Sequence, residues 1–224
     1  MCETTAGVTT GAAARYCVID LETTGLSPQH SRIIEIAAVQ LDENLQEIAA
    51  WNSLISPFPS GAPLPSTLGA QWIHGITPAD LLGKPQFSAC YSELISLLSG
   101  TVIVGHNIKF DCSFLNAEFA RSGSPLFIPA TATACTLDSS YIYCPPGPHS
   151  LGKLCARLEI EIPHAHRALD DARATAELLR IFAAKEARGE RYTNSAINRQ
   201  HEEVQPCAWE KAQAWIPPAQ LPFI

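Results

Sequence analysis

The 224-residue sequence has no apolar run approaching the roughly 20 residues that a membrane-crossing helix needs, so no membrane partner is expected. Residues Met1 to Ala14 have neither a basic start nor a greasy block, and no secretory signal is read there. Paired cysteines are missing as well. The eight cysteines stand at 2, 17, 90, 112, 135, 144, 155 and 207, none closer than nine residues to the next, which leaves no CxxC and no zinc-ribbon spacing. They are expected as reduced thiols in a cytoplasmic protein. Basic residues are scarce, 15 against 22 acidic ones, for a net charge of −7. That is the reverse of a domain that grips nucleic acid with a basic surface of its own. Such an excess of carboxylate either solvates a surface or gathers to hold metal. The composition, 46% hydrophobic and 17% charged, is that of a globular chain with room for one domain and a tail.

The apolar run Tyr16–Ile19 reads as a buried strand closed by Thr23-Thr24-Gly25. Residues 32–41 and Glu47–Ile55, joined by Asp42-Glu43-Asn44, add two strands and make a meander. Four prolines between Pro57 and Pro65 mark a loop. Thr77-Pro78-Ala79-Asp80 carries helix-start chemistry. Phe87, Tyr91, Leu94, Ile95 and Leu98 recur at helical spacing, and Thr101–Val104 suits a central strand. Phe110, Phe114, Leu115 and Phe119 predict a helix ending near Gly123. Ser150 caps another through Leu158, and Ala168 to Ala187 a long one after Pro163. This order predicts an α/β layer fold with a mixed sheet. The expected division is a flexible N-terminus (1–13), a catalytic domain (14–187), and a linker and tail (188–224), with no internal repeat.

Asp20 and Glu22, two apart at a strand end, point to one sheet face. Asp111 opens a helix after the strand 101–104 and the turn Gly105-His106-Asn107, and Asp171 lies in the first turn of the last long helix. Strand ends and helix starts are where an α/β sheet collects ligand groups. Gathered carboxylates repel and raise each other's pKa values, a cost that cations remove. Oxygen donors without cysteine suit Mg²⁺ or Mn²⁺, and two such ions make a clamp for in-line attack on a phosphodiester. His166, five residues before Asp171 on a loop, is placed to take a proton from water. A zinc site at His164-x-His166 is the competing reading, but no cysteine has supporting spacing. Taken singly, each acidic residue also has a plain explanation as a solvated strand end or a helix-dipole partner.

Val18-Ile-Asp-Leu-Glu-Thr-Thr-Gly-Leu26, Gly105-His-Asn-Ile-Lys-Phe-Asp111 and His166-Arg-Ala-Leu-Asp-Asp171 together resemble the three motifs of the DEDDh 3′–5′ exonucleases. The likeness covers residues 15–185 and is nearest to the proofreading epsilon subunits of bacterial DNA polymerase III and the polymerase-C exonuclease domains. It implies an RNase H-like fold with a central five-stranded mixed sheet flanked by helices. It also implies Asp20, Glu22, Asp111 and Asp171 as ligands of two divalent cations, and His166 as general base. Arg167 stands where the sister branch has tyrosine, so the histidine branch is the match. The same spacing selects Asp171 over Asp170, which points about 100° away around the helix. By the resemblance, Glu22, His166, Thr23 (through its backbone), Leu26 (as an apolar wedge), His74 and Asn107 contact the substrate. His106, by contrast, is read as an internal hydrogen-bonding residue.

The activity this implies is metal-dependent removal of nucleoside 5′-monophosphates from a frayed or single-stranded DNA 3′ end, beside a DNA polymerase III catalytic subunit. An exoribonuclease of the same superfamily and a non-catalytic polymerase-docking module are the alternatives. The second conflicts with a full set of carboxylates. The tail, with Trp209, Trp215 and Gln220-Leu221-x-Phe223, loosely resembles peptides that bind sliding clamps; packing back on its own domain is the other reading.

Overall fold

Alternation along the first strand builds the molecule. In the computed structural model, which describes residues 12–59, 61 and 65–218, Tyr16–Thr23 forms β1, the middle strand of a five-stranded sheet. The elements follow as β2 (Ile33–Leu41), β3 (Glu47–Leu54), α1 (Gln71–His74), α2 (Phe87–Leu98), β4 (Val102–Gly105), α3 (Ile108–Arg121), β5 (Thr133–Cys135), α4 (Thr136–Tyr143), α5 (Leu151–Arg157), α6 (Ala168–Ala187), β6 (Ala196–Ile197), β7 (Glu203–Val204) and α7 (Ala208–Lys211). The sheet order is β3-β2-β1-β4-β5. The first three strands pair antiparallel, and β1–β4 and β4–β5 pair parallel, as the mixed sheet requires. The turn between β2 and β3 is tied by Asp42, whose Oδ1 accepts the amides of Asn44 and Gln46 while Leu45 takes a left-handed conformation.

The two faces of the sheet carry separate cores. Cys17, Ile19 and Leu21 of β1 pack with α2 and α3, whereas Tyr16 and Val18 face α4 and α6. Among the described residues no helix is long and apolar enough to cross a membrane, and the described cysteines are free thiols.

Three expectations change. Thr77 and Asp80 do bond to each other, Asp80 Oδ2 accepting from the Thr77 amide at 2.8 Å, but only a turn results. Gly83 and Pro85 follow too soon for a helix to propagate. Ser150 precedes α5 without a side-chain capping bond. The segment from 188 to 218 is no free linker. Trp209 and Trp215, each 2% exposed, enter the two cores from opposite sides. The Trp215 indole N–H donates to the Phe127 carbonyl at 3.0 Å, and its backbone exchanges bonds with Gly100 and Thr101. Trp209 lies 5.5 Å from the Tyr143 ring, itself stacked on Phe182. Most of the proposed flexible N-terminus and the clamp-like peptide 220–223 lie outside the described residues.

Truncating a buried tryptophan costs about 3–5 kcal/mol. Trp215→Ala is therefore expected to lower the urea midpoint by that equivalent, and an unchanged midpoint would show that the segment adds nothing to the fold.

Candidate active site

Continuing the row of Tyr16 and Val18, Asp20 and Glu22 emerge from β1 on the α6 side, both half-buried. Asp111 arrives from the neighbouring strand: β4 runs parallel to β1, and Asn107, in the left-handed region at φ 73°, turns the chain into α3. Gly105 allows that turn, because a Cβ there would stand 2.7 Å from Ile108 Cδ1. Asp111 sits in the first turn of α3, 4% exposed. Asp171 sits in the first turn of α6, where its carboxylate accepts the His166 amide at 3.2 Å. Four acids from three elements thus meet at one end of the sheet.

Their electrostatics follow from that crowding. Burial raises Asp20 well above the usual carboxylate range, and the charges of Asp111, Asp171, Glu22 and Glu35 push it further. Burial, then Asp171, Glu35 and Asp111, lifts Glu22 to about 8, against the pull of Arg167. Asp111 is pushed up to about 8 by burial, opposed by backbone hydrogen bonds including one from Leu21. Asp171 is raised by burial and eased by the His166 amide. Ligand atoms of Glu22, His166 and Asp171 lie within 4.8 Å of one another. Asp20, His106, Lys153, His166 and Asp171 line a cavity of about 520 Å³. The donor set is mainly hard oxygen, buried and mutually repelling, and so suits divalent cations.

The surrounding residues fall into two groups. Leu26, 83% exposed, stands free beyond the end of β1, and His166 is exposed at the cavity with a left-handed backbone. Thr23 ends β1 with its hydroxyl donating to the Gly25 carbonyl at 2.7 Å. Asn107 is half-buried in its turn. His74 departs from expectation. It is 5% exposed; its Nδ1 accepts from Ile76 N–H at 3.0 Å and its Nε2 faces the Gly69 carbonyl at 3.3 Å. Its ring ties its own turn together and presents no free nitrogen to a nucleotide. Gly69 in turn abuts the β1 turn, for a Cβ there would lie 2.0 Å from the Thr24 carbonyl oxygen. His106 holds an internal place, with Nε2 donating to the His149 carbonyl at 2.9 Å, and burial lowers its pKa to about 4. Asp170 accepts from His164 at 3.0 Å, and its charge adds to the rise of the Asp171 carboxyl.

One pair was missed by sequence reasoning. Glu35, fully buried on β2 opposite Glu22, accepts the Arg167 guanidinium at 2.9 Å and the Ala168 amide at 3.3 Å. It thereby fixes the start of α6 between His166 and Asp171. The available signal was a lone charge inside the apolar run Ile33–Val39.

Comparison with known proteins gives concordant matches. The RNase_T sequence profile, described as Exonuclease, matches residues 17–179. The chain is 34% identical over 174 residues to the DNA polymerase III subunit epsilon of Treponema pallidum, covering 77% of this chain and 78% of that protein. It is 32% identical over 200 residues to the PolC-type DNA polymerase III of Streptococcus agalactiae, covering 89% of this chain but 13% of that much longer relative. Among solved structures, exonuclease I superposes with a TM-score of 0.66 at 25% identity, over 79% of this chain and 42% of the other. E. coli exonuclease I in complex with a dT13 oligonucleotide superposes equally well, at 24% identity.

Raised carboxyl pKa values make the metal-free fold sensitive to alkali. The folded state keeps protons on Glu22 and Asp111 up to about pH 8 that the unfolded chain releases near pH ~4. The associated stability is complete below that lower value and is lost as pH rises toward the upper one. In chelator the melting temperature should fall between about pH 5 and 8.5, and Asp111→Asn should recover about 1–2 kcal/mol at the alkaline end. A melting temperature level across that range would contradict the charge coupling.

Proposed function

Because the chain belongs to the exonuclease family, we propose that it hydrolyses the terminal phosphodiester of a DNA 3′ end with the aid of two divalent cations, Mg²⁺ or Mn²⁺. The products are a nucleoside 5′-monophosphate and a strand one residue shorter. The observation that carries this reading is the meeting of Asp20, Glu22, Asp111 and Asp171 at one end of the sheet, where Asp20 and Asp171 line a cavity together with the exposed His166. The four acids are the proposed cation ligands, and bound there the cations supply charge that activates water and stabilises the leaving 3′ oxygen.

This chain's own residues do the rest. His166 accepts the proton of the attacking water as the new phosphorus–oxygen bond forms and the bond to the 3′ oxygen breaks. The Glu35–Arg167 pair and the Asp171 carboxylate hold the backbone on either side of that histidine. Leu26, with the Thr23 backbone and Asn107, is placed to seat the last nucleotide, Leu26 against its base. A cavity of about 520 Å³ takes a nucleotide only once it has left its pair. Mispaired ends fray more readily, which supports a proofreading role beside a cytoplasmic replicative polymerase. The epsilon and PolC relatives support such a partner, and the net charge of −7 suits a subunit that shares its partner's grip on DNA.

Asp20→Ala should abolish metal-dependent nucleotide release; release equal to wild type would assign the activity to a contaminant. His166→Ala should slow turnover by about 10²–10⁴-fold while metal affinity, followed by calorimetry, stays close to wild type. A matching collapse of metal affinity would make His166 a ligand instead of a base.

Polymer preference is read separately. Matched DNA and RNA strands, with and without a 3′ mismatch, should be degraded in the order mismatched DNA, paired DNA, RNA. Faster loss of RNA would move the assignment to the exoribonucleases of the superfamily.

A further inference from the structure

An acidic cavity that accepts a polyanion needs cations of the protein's own beyond the scissile linkage, and in this chain most are already engaged. Arg32 pairs with Glu118, Arg167 with Glu35, Arg173 with Glu47 and Lys109 with Glu202, while Arg157 is spent on the Pro145 and Pro148 carbonyls. Two cations near the cavity have no hydrogen-bond or ion-pair partner among the described residues. Lys153, exposed on α5, lines the cavity together with Asp20, His166 and Asp171. Arg199, exposed in the turn between β6 and β7, stands close enough to His106 and His149 for its charge to oppose protonation of both. His106 lines the same cavity.

The position of Arg199 is built. Asn198, buried at the base of the turn, accepts the amides of Gln200 and Glu202, each at 2.9 Å, and donates to Asp138 of α4 at 3.2 Å. Glu202 at the other end of the turn is held by Lys109 of α3. The acid nearest in sequence to Arg199 is therefore already taken, and the hairpin is fastened to α4, whose first residue Thr136 meets His106 Nδ1 at 3.1 Å, and to α3, which begins two residues after His106. This hairpin lies beyond residue 179, where the family profile ends.

We infer that Lys153 and Arg199 form a track for the strand phosphates on the 5′ side of the scissile linkage, so that the C-terminal hairpin is part of the substrate site. The inference rests on the exonuclease reading and deepens it: the track requires a polymer, and a mononucleotide does not reach it. It recognises phosphates without regard to base, as a general trimming site must.

The test uses the full chain carrying K153A and R199A together, beside a charge-keeping K153R and R199K control. Binding is followed by fluorescence anisotropy on an oligothymidylate of about ten residues with a phosphorothioate at its 3′-terminal linkage, in Ca²⁺, across a salt series. Each phosphate contact on a single strand contributes about 0.7 to the slope of log affinity against log salt, so the alanine pair should flatten it by about 1.4 and weaken binding on the order of tenfold. The control should keep the wild-type slope. In turnover, the ratio of kcat/KM on the strand to that on a nitrophenyl ester of thymidine 5′-monophosphate should fall about tenfold in the alanine pair. An unaltered slope overturns the track. So does an equal loss on strand and ester, which would place these side chains on the scissile phosphate. Wild-type protein that hydrolyses neither substrate in Mg²⁺ or Mn²⁺ overturns the exonuclease reading instead, and the salt slope still decides the track.

Discussion

Carboxylates that share a desolvated space repel one another, and a folded chain keeps them together only if its framework resists the push. Here the resistance comes from three directions. β1, paired with β2 along its length and with β4 as far as Val18, holds Asp20 and Glu22 just past the end of the β4 pairing. α3 delivers Asp111 from a turn that a glycine and a left-handed asparagine make possible, and the long helix α6 delivers Asp171. The buried Glu35, a fifth negative charge, is the instructive case, since it would worsen the repulsion if left alone. Arg167 and the α6 amide turn it into an anchor for the element that bears both Asp171 and the approach of His166.

The same arrangement divides labour between the two faces of the sheet. The α2–α3 side is an ordinary apolar core, closed by Trp215. The α4–α6 side is apolar only along part of its length and then gives way to charge, because β1 changes from Tyr16 and Val18 to Asp20 and Glu22 along one row. Chemistry is thus placed at the edge of a core, where backbone positions are fixed by packing and solvent can still enter. The energy held in this charged corner is set against the burial of the rest.

Much of this was legible without coordinates. The meander β1–β3 followed from apolar runs bounded by turn residues, and the helices α2, α3 and α6 from apolar residues recurring at helical spacing. The acids stood out because charge interrupts an apolar strand or opens a helix at a place where sheets collect ligands. What stayed hidden lacked a period. β5 is three residues long. α4 buries Thr136, Ser139 and Ser140 alongside Leu137 and Ile142, so its pattern shows no polar face. The residues after 188 are polar in sequence, yet two tryptophans decide their packing through partners more than sixty residues away. The Glu35–Arg167 pair required the register of β1 on β2 and the position of α6 together, which no local window contains. The local engagement of His74 was hidden for a related reason: its ring nitrogens meet atoms a few residues away, which the residue type alone does not announce.

Gly69 leaves so little space over the Thr24 carbonyl that even a methyl group would collide with it. Any side chain at that position would have to push the loop presenting Leu26 away from the short helix that ends at His74. The outline of this lip therefore depends on a residue that contributes nothing but its smallness.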